Sequence, residues 1–523
     1  MENKFYITTA IDYVNGPPHI GHAYEKIATD VLARHFKQRG YSSFLLTGAD
    51  EHGIKIERTA ADKGKNPKEF CDEISDKFKT EWKNLNINYD RYIRTTDVDH
   101  EEVVKYIFKT LVEKGDIYKA SYTGLYCAGC ETFLNQRDLT EDGLCPDHLV
   151  KPQEVQEENY FFKLTKYKDA IIEHIKANPK FILPEFRVNE LLNQLADIED
   201  ISVSRSINSV TWGIPVPEDD TQIIYVWIDA LSNYLTGAGY RNNDELFKQY
   251  WPADVHMIGK DILKFHAIYW IAILMAMEIE LPKTIYAHGW ITIDEQKMSK
   301  SLGNVISPDS IVKAFELPNA DAFRYFMMMT TTFGRDGNYS DEDFKNKVNA
   351  DLANNLGNLL NRTLSMLIKY FDGTIQPDFV SQDNELAKLC VETKKNVIEN
   401  FDNYKITEAI ENVISLVDFT NKYVNDTAPW SLAKTEEGLA ECGKVLYNVL
   451  ETMRFVSVLL YPVIPNISQQ IWAQLSQLGN VSEMNIDNLV WGGLQVGQIA
   501  SPETVSPVFL RLESELAGDK KKK

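Results

Sequence analysis

The pattern of apolar and polar positions begins with an apolar run at 5–10, which is typical of a buried strand. Apolar residues then recur at helical spacing, at Ala28, Val31 and Leu32. A second apolar run follows at 44–47. The order strand, helix, strand predicts a βαβ unit at the start of the chain.

The same order returns later in the chain, at 255–258, 262–277 and 284–287. Just before it, a β-branched apolar run at 223–227 predicts one more buried parallel strand. A single parallel sheet with helices on both faces accommodates both units. The sequence therefore predicts an α/β fold, a doubly wound parallel sheet of Rossmann-like type, that is interrupted by an insert.

The last third of the chain is helical in pattern, with short loops, which indicates an antiparallel bundle. Helical segments are expected at 351–370, 384–400, 406–424, 438–461 and 464–475. The predicted division is a first half of the α/β domain at 1–115, an insert at 116–222, the second half at 223–290, a connecting region at 291–345 and an all-α bundle at 346–523.

The net charge of the chain limits the kinds of molecule that it is expected to bind. The chain of 523 residues has 55 lysines and arginines against 76 aspartates and glutamates, and its net charge of −21 argues against coating of nucleic acid or of an anionic membrane. A local basic face stays possible. The longest apolar helix, 262–281, carries charged residues and is expected in the core, with no membrane span. No targeting peptide precedes the first strand, so a cytosolic, cytoplasmic protein is expected.

The turn after the first strand carries the first candidate chemistry. It reads Gly-Pro-Pro-His-Ile-Gly-His at 16–22 and places His19 and His22 at a helix N-terminus. Backbone N–H groups and the helix dipole favour an anion there, so a phosphate site is expected, although a chance loop would look the same. The glycine-ended loop with Lys297 and Lys300 could close over a polyphosphate, or be solvated surface.

Further turns follow strand ends, where ligands gather in open parallel sheets. One carries Asp50, a candidate for a substrate ammonium or a helix cap. Another precedes a helix on which Ile262, His266 and Trp270 share a face. A comparable row is formed by Trp227, Ala230 and Tyr234. Core packing explains the apolar members equally well, whereas a histidine between aromatic residues needs hydrogen-bond partners.

Cys127, Cys130, Cys145 and His148 form the most specific pattern in the insert. Each pair is separated by two residues, so two turns could together supply three thiolates and one imidazole. This set suits tetrahedral Zn²⁺, and four protein ligands leave no open position, so a structural ion is expected. Redox-active or merely buried thiols are the alternative.

The bundle contains a candidate surface for unpaired bases. Asn358 and Arg362 are four residues apart and share a helix face, and Trp430 follows Pro429 just beyond a helix end. An aromatic ring beside amide and guanidinium donors suits unpaired bases. The alternative is that Trp430 fills the core of the bundle.

Taken together, the turn at 17–22 and Lys-Met-Ser-Lys-Ser at 297–301 resemble the two signatures of class I aminoacyl-tRNA synthetases. Almost the whole chain resembles the methionyl-tRNA synthetase family. Segments similar to that family's motifs stand at 10–13, 48–53, 226–230, 258–270, 358–362 and 428–430. The resemblance implies that L-methionine is activated with ATP and transferred to the 3′ end of tRNA(Met), initiator tRNA included. It also implies that 291–345 contacts the tRNA stem and that the bundle binds the anticodon.

The resemblance implies roles for individual residues as well. Catalysis would involve His19, His22, Lys297 and Lys300. The ATP contacts would include these residues together with Glu25, Gly259 and Asp261. The methionine pocket would consist of Ala10, Ile11, Tyr13, Asp50, Trp227, Ala230, Tyr234, Ile262, His266 and Trp270. Anticodon contacts would come from Asn358, Arg362 and Trp430.

Departures from the family pattern refine these expectations. There is one complete knuckle pair where some members have two, and Leu231 stands where many have proline, so the chain resembles the single-zinc, bacterial-type branch. No appended dimerisation domain follows the bundle, so a monomer is expected. One structural Zn²⁺ per chain and Mg²⁺ with ATP are the expected ions.

The nearest alternatives are other class I synthetases. Those for isoleucine, valine or leucine would resemble a longer chain with an editing insert, because one methylene provides only about 1–3 kcal/mol of discrimination. A cysteine enzyme would hold zinc beside the substrate thiol. A small-molecule adenylyltransferase would not need the bundle, and a non-catalytic tRNA-binding relative would not need the intact histidines and lysines.

Overall fold

The structure is a computed structural model, and it describes residues 3–127, 132–134, 136, 139–146, 149–296, 298 and 304–513. Within these residues the central element is a parallel sheet of seven strands. In spatial order the strands are Arg91–Arg94, Ser42–Asp50, Lys4–Thr9, Val255–Gly259, Ile285–His288 and Ile182–Leu183, and Asp12–Tyr13 pairs with the carboxyl end of Ser42–Asp50.

Successive residues of the central strands enter different cores. Phe5 and Ile7 pack on the face that is covered by the helix Ile20–Gln38, whereas Tyr6 packs on the opposite face with the helix Val98–Glu113. This alternation follows from the two-residue period of a strand. Both faces of the sheet are therefore buried, as parallel sheets require.

Helices alternate with the strands of the α/β part. They are Ile20–Gln38, Ile54–Asp62, Pro67–Asn84, Val98–Glu113, Val226–Leu231, Asn233–Gly237, Asp244–Tyr250 and Ile271–Ala276. A π-helical stretch, Phe265–Trp270, precedes the last of them. Stretches of π-helix are frequent at functional sites, and this one carries the predicted pocket residues His266 and Trp270.

The residues of the predicted insert form mainly antiparallel structure. One sheet contains the strands Thr132–Leu134, Ile117–Cys127, Gln153–Phe162 and Ile201–Ser202. A smaller sheet contains Ser204–Ser206, Asp219–Ile224 and Pro215–Val216. The helices are Lys168–Ala177 and Val188–Ala196. Between them lies Ile182–Leu183, which returns to the central sheet as its edge strand.

The prediction of a parallel strand at 223–227 was wrong. The strand Asp219–Ile224 is antiparallel to its neighbours in the smaller sheet, and the helix Val226–Leu231 begins directly after it. A short apolar run shows that a segment is buried but not which partner it pairs with. The second βαβ unit, from Val255–Gly259 to Ile285–His288, is confirmed as parallel.

A connecting region and a helical bundle complete the described chain. The connecting region contains the helices Pro308–Ala314 and Asp321–Met329 and a parallel pair of strands, Ile291–Ile293 and Gly337–Tyr339. The bundle contains Asp341–Lys347, the π-helical Val348–Gly357, Asn358–Phe371, Glu385–Asp402, Ile406–Thr427, Pro429–Leu432, Glu436–Leu460 and Pro465–Gln474, with the strand pair Thr374–Ile375 and Gly497–Gln498. The predicted fold class, an α/β domain followed by a helical bundle, is confirmed.

Arg324 joins the α/β domain to the bundle. Its side chain is fully buried, and its guanidinium donates to Asp30 Oδ2 at 2.6 Å and to the carbonyl oxygens of Pro462 and Val463 at 2.8 Å and 2.9 Å. Asp30 lies on the helix Ile20–Gln38, whose N-terminus carries the His-Ile-Gly-His turn. The two parts are therefore packed against each other through a shared core. A bilayer-spanning helix is absent from the described part of the chain.

Candidate active site

A cavity of about 380 Å³ opens at the carboxyl ends of the central strands, where ligands bind in doubly wound sheets. Its walls come from the turns that follow Lys4–Thr9, Val255–Gly259 and Ile285–His288. The lining residues are Ala10, Ile11, Asp12, Tyr13, His19, Gly21, His22, Glu25, Lys26, Gly259, Asp261, Ile262, His288, Gly289, Trp290, Ile291 and Met298. All the predicted ATP residues within the described ranges line this cavity.

His19 and His22 stand at the N-terminus of the helix Ile20–Gln38, with their rings stacked and the ring centroids 3.6 Å apart. Nδ1 of His19 accepts a hydrogen bond from the backbone N–H of Gly21, and Nδ1 of His22 accepts one from the backbone N–H of His19, both at 3.2 Å. A neutral imidazole whose Nδ1 is an acceptor carries its proton on Nε2. Each ring thus has an Nε2–H donor beside a helix N-terminus, which suits a bound phosphate.

Met298, which stands between the two predicted lysines in the sequence, approaches this turn. Met298 lines the cavity, and its Cε atom would lie 3.0 Å from a Cβ added at Gly21. The ring of His19 would lie 3.1 Å from the same Cβ, so only a glycine fits without displacing a neighbour. Lys297 and Lys300 themselves lie outside the described residues.

A charged network lies at the floor of the cavity, and only Glu25 of its members was predicted. Lys26 Nζ donates to Asp12 Oδ1 at 2.7 Å, to Glu25 Oε1 at 3.0 Å and to the carbonyl oxygen of Ala10 at 3.0 Å. The second oxygen of Glu25 lies 3.0 Å from Nε2 of His288. We refer to Asp12, Glu25, Lys26 and His288 as the Lys26 network.

The pKa values of the two buried carboxylates, Glu25 and Asp12, are shifted in opposite directions. Although burial opposes the shift, Lys26 and His288 hold the pKa of Glu25 below its usual range. Burial raises the pKa of Asp12 to about 7, with Lys26 opposing the shift. Despite burial, Asp12 and Glu25 raise the pKa of Lys26. The network therefore keeps an ion pair between Lys26 and Glu25 and a carboxyl group at Asp12 that titrates near neutral pH.

On the opposite wall, Asp261 is held by an aromatic residue. The indole N–H of Trp290 donates to Asp261 Oδ1 at 3.0 Å. A Cβ added at Gly259 would lie 2.7 Å from the same oxygen, so the close approach requires glycine there. The missing Cβ of Gly259 thus lets the Asp261 carboxylate lie against this turn, and both residues line the cavity.

The structure brings only part of the predicted methionine pocket to the cavity. Ala10, Ile11, Tyr13 and Ile262 line it. The remaining six, which are packed beside it or behind it, are Asp50, Trp227, Ala230, Tyr234, His266 and Trp270. Their packing is aromatic: Trp227 stacks on Phe265 with the ring centroids 3.9 Å apart. Tyr234 and Trp270 are buried, with their ring centroids 5.8 Å apart.

His266 links this aromatic layer to the cavity wall. Its Nδ1–H donates to the carbonyl oxygen of Ile262 at 3.0 Å, so Nε2 accepts from the hydroxyl of Tyr234 at 2.7 Å. Burial lowers the pKa of His266 to about 4. The ring is therefore neutral at physiological pH and has a defined tautomer.

A buried carboxylate behind the pocket was missed by sequence reasoning. Asp229 accepts hydrogen bonds from His52 Nδ1 at 2.7 Å and from His100 Nε2 at 3.0 Å. His52 and His100 lower the pKa of Asp229 to about 2 and Asp229 raises the pKa of His52, although burial opposes both shifts. This contact joins the turn that carries Asp50 to the helix that carries Trp227, so it orients two predicted pocket residues.

The predicted metal ligands are described only in part. Cys127 ends the strand Ile117–Cys127, which pairs antiparallel with Thr132–Leu134, and Cys145 begins a turn in which its carbonyl oxygen accepts from the N–H of Leu149. Both cysteines are buried. Cys130 and His148 lie outside the described residues, and the described residues alone contain no group of three or more metal-ligating side chains. Thiolates are donors that zinc prefers, so these two cysteines are compatible with the zinc prediction, which also requires Cys130 and His148.

The three predicted anticodon residues are each at least partly accessible on the bundle. Asn358 is exposed, and Trp430 is 41% exposed, which agrees with a surface position rather than a core position. Arg362 Nη2 donates to Oδ1 of Asn421 at 3.0 Å on the neighbouring helix Ile406–Thr427. This contact orients the guanidinium along the face that Asn358 also occupies.

Comparison with known families shows the class. The family model described as tRNA synthetases class I (M) matches residues 5–155 and 148–364, and the model described as anticodon-binding domain of tRNA ligase matches residues 383–490. The parallel sheet with a His-Ile-Gly-His turn at its strand ends, followed by a helical bundle, is therefore the architecture of a class I aminoacyl-tRNA synthetase.

Comparison with individual proteins identifies the family within this class. A methionine–tRNA ligase of Clostridium perfringens is 50% identical over 480 residues, which are 91% of this chain and 74% of that protein. That of Thermotoga maritima is 43% identical over 518 residues, 98% of this chain and 81% of that protein. The structure of Mycobacterium tuberculosis methionyl-tRNA synthetase in complex with methionyl-adenylate has a TM-score of 0.91 at 39% identity, and the match covers 97% of this chain and 100% of that one. The chain belongs to the methionyl-tRNA synthetase family.

Proposed function

We propose that the chain is a methionine–tRNA ligase. It activates L-methionine with ATP to methionyl-adenylate and pyrophosphate, and it transfers the methionyl group to the 3′-terminal adenosine of tRNA(Met), including the initiator tRNA. The observation that carries the proposal is the cavity, in which the stacked pair His19 and His22 stands at a helix N-terminus opposite the Gly259 turn. A relative of closely similar fold has been solved with methionyl-adenylate bound.

The first step requires positioning and charge stabilisation rather than a general base. The methionine carboxylate is ionised and attacks the α-phosphorus of ATP, so the P–O bond to pyrophosphate breaks as the new bond forms. The Nε2–H groups of His19 and His22 donate to the phosphate oxygens as negative charge grows on them. Lys297 and Lys300 are proposed to stabilise the departing pyrophosphate, and Mg²⁺ bound with ATP would share its charge.

Methionine selection is assigned to the aromatic layer beside the cavity. The thioether sulfur is a weak acceptor and is polarisable, which suits aromatic walls and the hydroxyl of Tyr13. The neutral ring of His266 is held between Ile262 and Tyr234, so it forms part of a preorganised wall. Asp50 is proposed to bind the α-ammonium of the substrate.

The remaining parts of the proposal concern the metal, the tRNA and the assembly state. Cys127, Cys130, Cys145 and His148 are proposed to hold one structural Zn²⁺, which would order the turns of the insert. The last set, Asn358, Arg362 and Trp430, is proposed to contact the anticodon. A cytoplasmic monomer is proposed.

A pyrophosphate-exchange assay across the amino acids tests the proposed function. Only methionine is expected to drive rapid exchange, and exchange should not require tRNA. Equal exchange with isoleucine, valine, leucine or cysteine would identify a different synthetase. Exchange that no amino acid stimulates, but that another small-molecule acceptor of the adenylyl group does, would point to a small-molecule adenylyltransferase.

A further inference from the structure

A lysine to which the proposed reaction gives no role lies at the floor of the cavity. Lys26 is 1% exposed, and its ammonium group donates to Asp12 Oδ1 at 2.7 Å and to Glu25 Oε1 at 3.0 Å. It also donates to the carbonyl oxygen of Ala10 at 3.0 Å. An ammonium group has three N–H donors, so each donor has an acceptor. Lys26 cannot bind a phosphate unless it gives up one of these contacts, and it therefore acts on the site through the residues that it holds.

Helical spacing places the partner of Lys26 beside the histidine turn. His22, Glu25 and Lys26 stand at i, i+3 and i+4 on the helix Ile20–Gln38, so they share one face, and all three line the cavity. A carboxylate accepts hydrogen bonds and repels phosphates, so Glu25 suits the hydroxyl and amino groups of the nucleoside part of ATP. The position of this carboxylate therefore matters for ATP binding.

The second oxygen of Glu25 is held by a residue of the central sheet. Nδ1 of His288 lies 2.7 Å from the carbonyl oxygen of Gly289, which can only accept, so Nδ1 carries a hydrogen. Nε2 of the same ring lies 3.0 Å from Glu25 Oε2, and an ionised carboxylate also only accepts. Both ring nitrogens therefore donate, and His288 is positively charged while Glu25 is ionised. Lys26 and His288 thus fix the two oxygens of one carboxylate.

Asp12 competes with Glu25 for the ammonium group of Lys26. Oδ1 of Asp12 accepts from Lys26, whereas its buried Oδ2 has no hydrogen-bond partner among the residues that the structure describes. An ionised oxygen without a partner is more costly to bury than a neutral one, so this environment favours the protonated form of Asp12. Burial accordingly raises the pKa of Asp12 to about 7, with Lys26 opposing the shift. The charge of Asp12 therefore changes near neutral pH.

Other titratable groups face Asp12 from the elements packed against it. Lys26 and Glu25 face it from their helix, and Asp50 stands on the neighbouring strand, which pairs with the strand of Asp12. Tyr92 faces it from the next strand, where burial and, after it, the charge of Asp12 raise the pKa of the tyrosine. Of these four groups, Lys26 is the one cation. Ionised Asp12 is therefore stabilised by the same ammonium group that holds Glu25.

We propose that Lys26 is a positioning residue for ATP, and that the proton on Asp12 sets how firmly Lys26 holds Glu25. With this proton, Asp12 is neutral and the ammonium group pairs with Glu25. Without it, a second carboxylate shares the ammonium group, and its negative charge repels the phosphates of ATP. ATP should therefore bind more tightly to the protonated form and cause proton uptake. The inference rests on the proposed function in taking ATP as the ligand of the cavity.

Asp12→Asn tests the role of the proton, because asparagine keeps the size of the side chain and remains neutral. If ATP binds only the protonated form, a group that titrates near pH 7 makes the apparent Kd rise by about tenfold between about pH 6 and pH 8. ATP itself titrates in this range, so the measured quantity is the ratio of the wild-type Kd to the variant Kd in calorimetry. The ratio should rise by up to about tenfold over this range. A constant ratio would overturn the proposal.

Proton uptake provides a second measurement on the same two proteins. Calorimetry in two buffers of different ionisation enthalpy gives the number of protons that are taken up with each ATP. At about pH 8, wild-type protein should take up close to one proton more than the Asp12→Asn variant does. Equal uptake by the two proteins would contradict the proposal.

Lys26→Met tests the ion pair itself. The ATP Kd should rise by about ten- to a hundredfold at neutral pH, the range of one hydrogen bond to a charged group. Lys4→Met is the matched control, because Lys4 Nζ lies 2.8 Å from Asp254 Oδ2 at the amino end of a central strand, away from the cavity. Lys4→Met should leave the ATP Kd unchanged. An equal rise in both variants, or no rise in Lys26→Met, would refute the positioning role.

Thermal unfolding shows whether each variant is folded, and Asp12→Asn decides the proposal if Lys26→Met does not fold. A wild-type protein that binds ATP but lacks methionine-dependent pyrophosphate exchange would refute the proposed function alone, because the pH dependence of the ATP Kd would still decide the role of Lys26. A wild-type protein that does not bind ATP would overturn both. The two failures are therefore distinct.

Discussion

The substitution Asp229→Asn tests whether a carboxylate outside the cavity keeps the methionine pocket in shape. Asp229 is 1% exposed and accepts hydrogen bonds from His52 at 2.7 Å and from His100 at 3.0 Å. Asparagine has almost the same size, but it offers one acceptor oxygen in place of two and removes the negative charge. The substitution therefore leaves the packing in place and removes the electrostatic contact.

The expected cost follows from burial and from the number of hydrogen bonds. A hydrogen bond to a charged group contributes about 1.5–3 kcal/mol, and removal of one partner from a buried ion pair costs about 3–5 kcal/mol. Since asparagine can still accept one bond, we expect a loss of about 3 kcal/mol in the stability of the α/β domain. The methionine KM should rise because the turn of Asp50 and the helix of Trp227 lose their connection, whereas the ATP KM should change little.

The pH dependence of stability has a defined sign. Asp229 raises the pKa of His52 although burial opposes the shift, so protonated His52 stabilises the folded protein fully below its unfolded pKa of about 6.5. That contribution is lost as the pH rises through the higher folded pKa. His266 has the opposite pH dependence. Its folded pKa of about 4 lies below its unfolded pKa of about 6.5, so the free energy of unfolding falls as the pH drops below the unfolded pKa. Asp229→Asn should remove this loss at higher pH, and also the loss at acid pH that comes from Asp229 itself, whose folded pKa of about 2 lies below its unfolded value of about 3.9; the contribution of His266 should remain.

Thermal unfolding across neutral and alkaline pH, combined with pyrophosphate exchange at varied methionine and ATP, measures both effects. Glu218→Gln is a suitable control, since Glu218 pairs with Lys109 on the surface and the substitution should change neither quantity. A variant Asp229→Asn with the melting temperature and methionine KM of the wild-type protein would refute the reasoning.

Further predictions concern the lysine loop, the metal and the bundle. Lys300→Ala should slow methionine-dependent pyrophosphate exchange by about a hundredfold or more, with methionine binding preserved; near-normal exchange would contradict the assigned role. Metal analysis should find one zinc per chain, and Cys145→Ser or chelation should loosen the insert before the central sheet, as limited proteolysis would reveal. Trp430→Ala should reduce tRNA charging by about five- to a hundredfold without changing the melting temperature or tRNA-independent exchange. A parallel fall in melting temperature would mean that Trp430 is a packing residue.

Much of the fold could be predicted because it is encoded in local patterns. The helix Ile20–Gln38 follows from apolar residues at helical spacing, and the bundle helices follow in the same way. The turn with His19 and His22 could be recognised because its residues are adjacent in the chain and because any strand–turn–helix unit exposes backbone N–H groups there. The family resemblance depends on such short, contiguous motifs, and the comparisons confirm it.

The order of most elements, the fold class and the location of the site at the strand ends could thus be predicted from the sequence alone. The tertiary structure decided which partners each buried group has. Glu25 lies 263 positions from His288, and His52 lies 177 positions from Asp229, so no local period could pair them. The misassigned strand at 223–227 has the same origin, because an apolar run records burial and not its neighbours. Protonation states depend on those partners and on desolvation, which exist only after the chain has folded.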